Sequence, residues 1–116
     1  MIDVRNLFAG LPVETGNEEF QDILRTENFR IERIVSHGGA SPDGFWYDQS
    51  EDEWVLLLAG TAELSFADGG KIALVPGDCV LIPRHARHRV EKTDRKQDTV
   101  WLAVHFGGES IGKKSV

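Results

Sequence analysis

Between Glu53 and Gly60 the chain runs Trp-Val-Leu-Leu-Leu-Ala without a polar residue. Read as a strand, this stretch puts Glu53, Val55 and Leu57 on one face and Trp54, Leu56 and Leu58 on the other. Both faces are apolar, so the strand needs cover on both sides. A domain built on it must have an interior for one row and a second covering layer for the other. The N-terminal segment with Leu7, Phe8 and Leu11 is one candidate cover. A second copy of the chain is the other, and a homodimer is the expectation.

The remaining pattern is also that of strands. Phe29 to Ser36 alternates, with Phe29, Ile31, Arg33 and Val35 opposed to Arg30, Glu32, Ile34 and Ser36. HGGASPDG reads as a loop. Trp46 and Tyr47 open a strand that breaks at the acidic turn Asp48–Glu53, of which the first residues are expected to be solvated. Ala62, Leu64 and Phe66 alternate with Glu63 and Ser65, and Asp68-Gly69-Gly70 is a hairpin signal. Lys71–Val75, Cys79–Ile82, the stretch carrying His88 and Val90, and TVWLAVHF complete the set.

Some eight short strands, with turns about every ten residues, predict an all-β fold, an antiparallel barrel or double-sheet jelly roll. One helix is predicted over residues 18–24. Phe20, Ile23 and Leu24 fall at helical spacing, and Thr15-Gly-Asn-Glu18 has the spacing of a capping box. The expected layout is a single domain: an arm and short helix over 1–28, the barrel over 29–106 and a loose tail over 107–116.

A chain of 116 residues can bury a core without disulfides, and its one cysteine, Cys79, forms no intrachain bridge. Its place in an apolar strand predicts a buried thiol. The net charge of −6 disfavours nucleic acid and anionic membrane, although the basic run Arg84–Arg89 suits one small anion. The first residues do not read as a secretory signal, and no apolar run reaches the length of a membrane helix. A soluble, cytoplasmic protein is the expectation.

Two stretches carry a family resemblance. Glu53, six residues and Gly60 match in spacing the end of the first cupin motif. Pro76-Gly77-Asp78, Pro83 and His88 match the second. The chain thus resembles a small single-domain cupin over roughly residues 30–106, with Glu53's row facing the barrel interior. In that family two histidines of the first motif, the glutamate and the later histidine often hold zinc, iron, manganese or nickel. Here the histidine pair is replaced by Tyr47 and Gln49, or by Trp46 and Asp48 on the longer spacing. Carried over residue by residue, the resemblance implies Glu53, His88 and Gln49 (or Asp48) as ligands of a divalent transition metal. It implies Tyr47 and His88 as catalytic groups. An amide oxygen is a much weaker donor than imidazole, so such a metal would be weakly held.

Three readings follow. The first is a metal-dependent enzyme acting on a small polar substrate. The second is a metal-free isomerase with His88 as base and Tyr47 as acid. The third is a binding or sensing module with no reaction. Small-molecule binding is common to all, and catalysis stays open. Beside these stand plainer roles. Glu53 could be a buried carboxylate paired with Arg33, and His88 a hydrogen-bonded core residue. His85 and His37 read as surface residues, and strand parity leaves the direction of His105 open.

Overall fold

The computed structural model describes residues 2–12 and 18–108. Among them are eight strands: β1 (Glu19–Arg25), β2 (Phe29–Ser36), β3 (Asp52–Ala59), β4 (Ala62–Phe66), β5 (Lys71–Leu74), β6 (Cys79–Ile82), β7 (His88–Thr93) and β8 (Thr99–Phe106). They form two antiparallel sheets, one ordered β1-β2-β8-β3-β6 and the other β5-β4-β7. Each sheet turns an apolar face to the other. Ile34, Val55, Leu57, Ile82, Trp101 and Ala103 of the larger sheet meet Ala62, Leu64, Leu74 and Val90 of the smaller. The strand that is apolar on both faces sits next to the edge of the larger sheet, between β8 and β6.

Register explains where polarity enters this interior. Ile34, Trp101 and Leu57 lie side by side across β2, β8 and β3, and the next inward row is Glu32, Ala103 and Val55. The row after that is Arg30, His105, Glu53 and, on β6, Ile82. The inner face therefore changes from apolar to charged along its strands, and three strands make the change at the same end. That end becomes the site.

The larger sheet's other face carries Trp54, Leu56 and Leu58, all half-buried. Arg33 lies on this face as well. Its guanidinium donates to the carbonyls of Leu7 at 3.1 Å and Ala9 at 2.8 Å, so the N-terminal arm covers the β2 side. Arg33 consequently cannot partner Glu53, which points the opposite way.

Several expectations need correction. No helix occupies 18–24: residues 19–25 are the edge strand β1, and a register shift between Asp22 and Leu24 leaves Ile23 as a bulge against β2. A bulge adds one residue to the count, so an interrupted period of two imitates the helical spacing of Phe20, Ile23 and Leu24. The Thr15–Asn17 part of the expected cap, and the tail from 109 onward, fall outside the described residues. The two sheets do not close into one barrel among the described strands. Trp46 and Tyr47 do not start a strand either; Tyr47 forms an isolated bridge with His88.

Cys79 is exposed, because it pairs with Leu56 on an edge strand and shares the outer row. The strand Cys79–Ile82 is correspondingly wet on one side, with only Ile82 buried. Glu51, expected in a solvated turn, is buried and takes Arg30 at 3.1 Å. Gly60 follows β3 with φ +78°, and a Cβ there would lie 2.7 Å from Thr99 Cα and 2.8 Å from the Asp98 carbonyl oxygen. Only glycine fits that approach of backbone to backbone.

Candidate functional site

A cavity of about 50 Å³ lies between the sheets at the charged end of the interior. It has room for a few water-sized groups. Glu53, Tyr47, Gln49 and His88 line it, as do Glu18, Glu32 and His105. Phe20, half-exposed on β1, marks its rim. The four residues singled out from the sequence motifs thus share one cavity.

Local structure explains how they converge. His88 opens β7, and its amide and carbonyl pair with those of Tyr47 at 3.1 and 2.7 Å. Two residues on, the Gln49 carbonyl accepts the His85 amide at 2.7 Å. This zipper between 47–49 and 85–88 forces His85 to φ 63°, a backbone region uncommon for a non-glycine residue. His85 itself turns outward to Asp48 at 2.8 Å, and both are largely exposed. Asp48 therefore stands outside the cavity and Gln49 inside.

The His88 ring is oriented from both sides. Its Nδ1 donates to the Ala86 carbonyl at 2.8 Å, and its face stacks on Tyr47 with centroids 5.5 Å apart. A carbonyl only accepts, so Nδ1 carries the proton and Nε2 presents its lone pair. Burial pushes the His88 pKa down, which keeps the ring neutral. Nε2 lies 3.7 Å from Glu53 Oε1, too far for a direct hydrogen bond. That Glu53 oxygen is buried without a hydrogen-bond partner. Burial, which outweighs the nearby His105, raises the Glu53 pKa to about 7.

Three functional-looking residues escaped the sequence reading. His105 points inward and is almost wholly buried, its Nε2 donating to Glu32 at 2.8 Å. Its Nδ1 faces Glu51 at 3.3 Å. Glu18 accepts the Tyr47 hydroxyl at 2.9 Å and the Ser36 hydroxyl at 3.4 Å. Burial raises its pKa as well. The parity of β2 places Glu32 on the face of Ile34, which would have marked it as inward-facing once Ile34 was assigned to the core. His105 could be placed only from its register against Glu53. Nothing in the sequence ties Glu18 to Tyr47. His37, expected at the surface, has a nearly buried side chain bonded to Asp98 at 2.7 Å, away from the cavity lining.

The donor set does not suit a transition metal. Among the described residues, no group of three or more His, Cys, Asp or Glu is arranged to hold one. His88 and Glu53 are two strong donors, Gln49 offers a neutral amide, and Tyr47 commits its hydroxyl proton to Glu18. Burial and the Glu18 charge push the Tyr47 pKa up, away from the phenolate a metal would need.

Two facing antiparallel sheets with a charged pocket at one end of the interior define a small ligand-pocket β-domain of the jelly-roll class. The chain belongs to the cupin family: the Cupin domain family model matches residues 33–105. Among solved structures it is similar to a Ralstonia eutropha JMP134 protein provisionally called a mannose-6-phosphate isomerase. The two share 45% identity over 92% of this chain and 100% of that one, with a TM-score of 0.85. A cupin superfamily protein from Desulfitobacterium hafniense DCB-2 matches at 20% identity, 83% of each chain and a TM-score of 0.68. A Streptococcus pyogenes protein of unknown function matches at 15% identity, over 100% of this chain and 91% of that one, with a TM-score of 0.71. These last two likenesses are of fold alone. No curated protein matches the sequence.

Proposed function

We propose that this cupin binds a small polar molecule without a phosphate group, gripped between Glu53 and His88. The observation that carries this reading is the pair itself. Glu53 Oε1 and His88 Nε2 lie 3.7 Å apart at the cavity, and Glu53 Oε1 is buried with no hydrogen-bond partner. A buried acceptor left unpaired costs free energy that a bound donor recovers.

A phosphate would need Arg or Lys. Among the described residues the cavity is lined by Glu18, Glu32 and Glu53 and by no Arg or Lys. The sugar phosphate in the name of the Ralstonia protein is therefore a poor fit here, and the acidic lining argues equally against other small anions. The expected weak metal site is not carried forward, because among the described residues no three His, Cys, Asp or Glu side chains are arranged to hold one ion.

A metal-free isomerase is the second reading, favoured by the raised Glu53 and lowered His88 pKa values. On a hydroxy-carbonyl compound, His88 Nε2 would take a proton from carbon while Glu53 gives its proton to the carbonyl oxygen, leaving an enediol. Reversal at the neighbouring carbon returns both protons and moves the carbonyl. In this scheme Glu53 replaces Tyr47 as the acid, and Tyr47 positions the His88 ring. Assembly as a homodimer through the Trp54 row completes the proposal.

The test is titration of a panel of small polyols, hydroxy-ketones and amines, following the Trp101 indole N–H by NMR. At least one compound should produce a saturable shift in the wild type and none in His88→Ala, with the fold retained. Equal shifts in His88→Ala would overturn the pocket assignment. A stoichiometric transition metal in the purified protein, lost in Glu53→Gln, would overturn the metal-free reading.

A further inference from the structure

The groups that face the cavity are unbalanced in two independent ways, in charge and in hydrogen-bonding role. The two basic side chains nearest the acidic lining, Arg30 and His105, are already engaged. Arg30 contacts Glu51 at 3.1 Å and Glu32 at 3.8 Å, and His105 Nε2 donates to Glu32 at 2.8 Å. Among the described residues Glu18 is bonded to the neutral hydroxyls of Tyr47 and Ser36. Glu53 has His88 Nε2 at 3.7 Å from Oε1 and His105 Nε2 at 3.9 Å from Oε2, both beyond hydrogen-bond distance, and its Oε1 is buried with no partner. Two of the three lining carboxyl groups thus lack a bonded counter-ion.

The second imbalance concerns donors. With Nδ1–H committed to Ala86, His88 offers the cavity only an acceptor at Nε2. Glu53 Oε1 offers another, 3.7 Å away, in the ionised carboxylate that a bound cation favours. A hydroxyl has one proton and can satisfy one of the two. An ammonium nitrogen has three, and one placed about 2.9 Å from each acceptor donates to both. Beside it stand the Tyr47 ring, stacked on His88, and the half-exposed ring of Phe20 at the rim. Such faces suit the apolar carbons of a small amine and attract its charge.

We propose that the ligand is a small organic cation, a primary ammonium compound whose nitrogen sits between Glu53 Oε1 and His88 Nε2. The inference rests on the binding reading above and gives it a ligand class; it does not rest on the isomerase reading. A protonated amine supplies both the missing charge and the missing donors, and its short carbon chain runs past Tyr47 toward Phe20.

The test compares three probes of one shape, propylamine, propanol and propionate, together with inorganic phosphate. Each is titrated calorimetrically into the whole protein near neutral pH at constant ionic strength. Propylamine should bind about tenfold more tightly than propanol, the factor expected from about 1.4 kcal/mol of charge-assisted hydrogen bonding. Propionate and phosphate should not bind. In Glu53→Gln the preference for the amine should largely disappear, while Glu18→Gln, which leaves the acceptor pair intact, should reduce it only in part. Propanol binding as tightly as propylamine would overturn the cation while leaving the pocket reading intact. Tighter binding of propionate or phosphate would overturn the charge argument for both. No binding by any probe, with the Trp101 N–H unmoved, would overturn the site and the ligand class together.

Discussion

Tyr47 and His88 hold each other twice. Their backbones exchange two hydrogen bonds, at 2.7 and 3.1 Å, and their rings stack at 5.5 Å. The cavity-facing Nε2 of His88 therefore depends on Tyr47 for its orientation.

Removing the Tyr47 hydroxyl and removing its ring should then have different effects. Tyr47→Phe keeps the stack and loses one hydrogen bond to Glu18, costing about 1 kcal/mol of stability. Tyr47→Ala also removes the ring, and about 3 kcal/mol is expected. Binding of propylamine should stay within about threefold of wild type in the first variant and fall by more than tenfold in the second. Equal losses of binding in both variants would assign the role to the hydroxyl instead of the ring.

Glu53 makes stability depend on pH with a definite sign. Its pKa in the folded protein is raised from the ordinary 4.5 to about 7, so between these values the folded state binds more protons than the unfolded. Its contribution is fully present below about pH 4.5 and is lost as pH rises through 7. The loss is about 3 kcal/mol. His88 acts oppositely, because a lowered folded pKa costs stability as pH falls below the ordinary histidine value. Urea unfolding should accordingly find Glu53→Gln close to wild type at about pH 5 and more stable than wild type at about pH 8. A variant less stable than wild type at the higher pH would contradict the burial argument.

Gly60 should tolerate no side chain. Gly60→Ala adds a Cβ against the Thr99 backbone at φ +78°, where the strand β3 turns toward β4. Strain and overlap together should cost about 3 kcal/mol, read as a shift of the urea midpoint. A change under about 0.5 kcal/mol would mean that β8 moves aside freely.

Trp54 tests the assembly. It is half-buried on the outer face, and Leu81, which pairs with it on the edge strand β6, is 55% exposed. A second copy meeting this patch about a two-fold axis would cover both. Sedimentation should find a dimer at micromolar concentration for the wild type and a monomer for Trp54→Glu. A monomeric wild type would leave the N-terminal arm, which already covers Arg33, as the only cover.

Turn signals and period-two alternation were enough to read an all-β fold from the sequence, because a strand's two faces are set locally and each glycine or proline cluster ends a strand where it stands; the cupin resemblance came from the two motifs. The shared position of Glu53 and His88 was legible only through motif spacing. What the sequence could not settle depends on partners far away along the chain. The bulge at Ile23 imitates a helix until β2 is laid beside it. Cys79 looks buried until its strand proves to be an edge, and His105 takes its direction from its register against Glu53. The ionic character of the cavity is the furthest from the sequence. It exists because β2, β3 and β8 change from apolar to charged in the same row, and because Glu18, from another part of the chain, closes on Tyr47. Sequence determines which residues can face inward; only the register between strands determines which charges then meet and which remain without a partner.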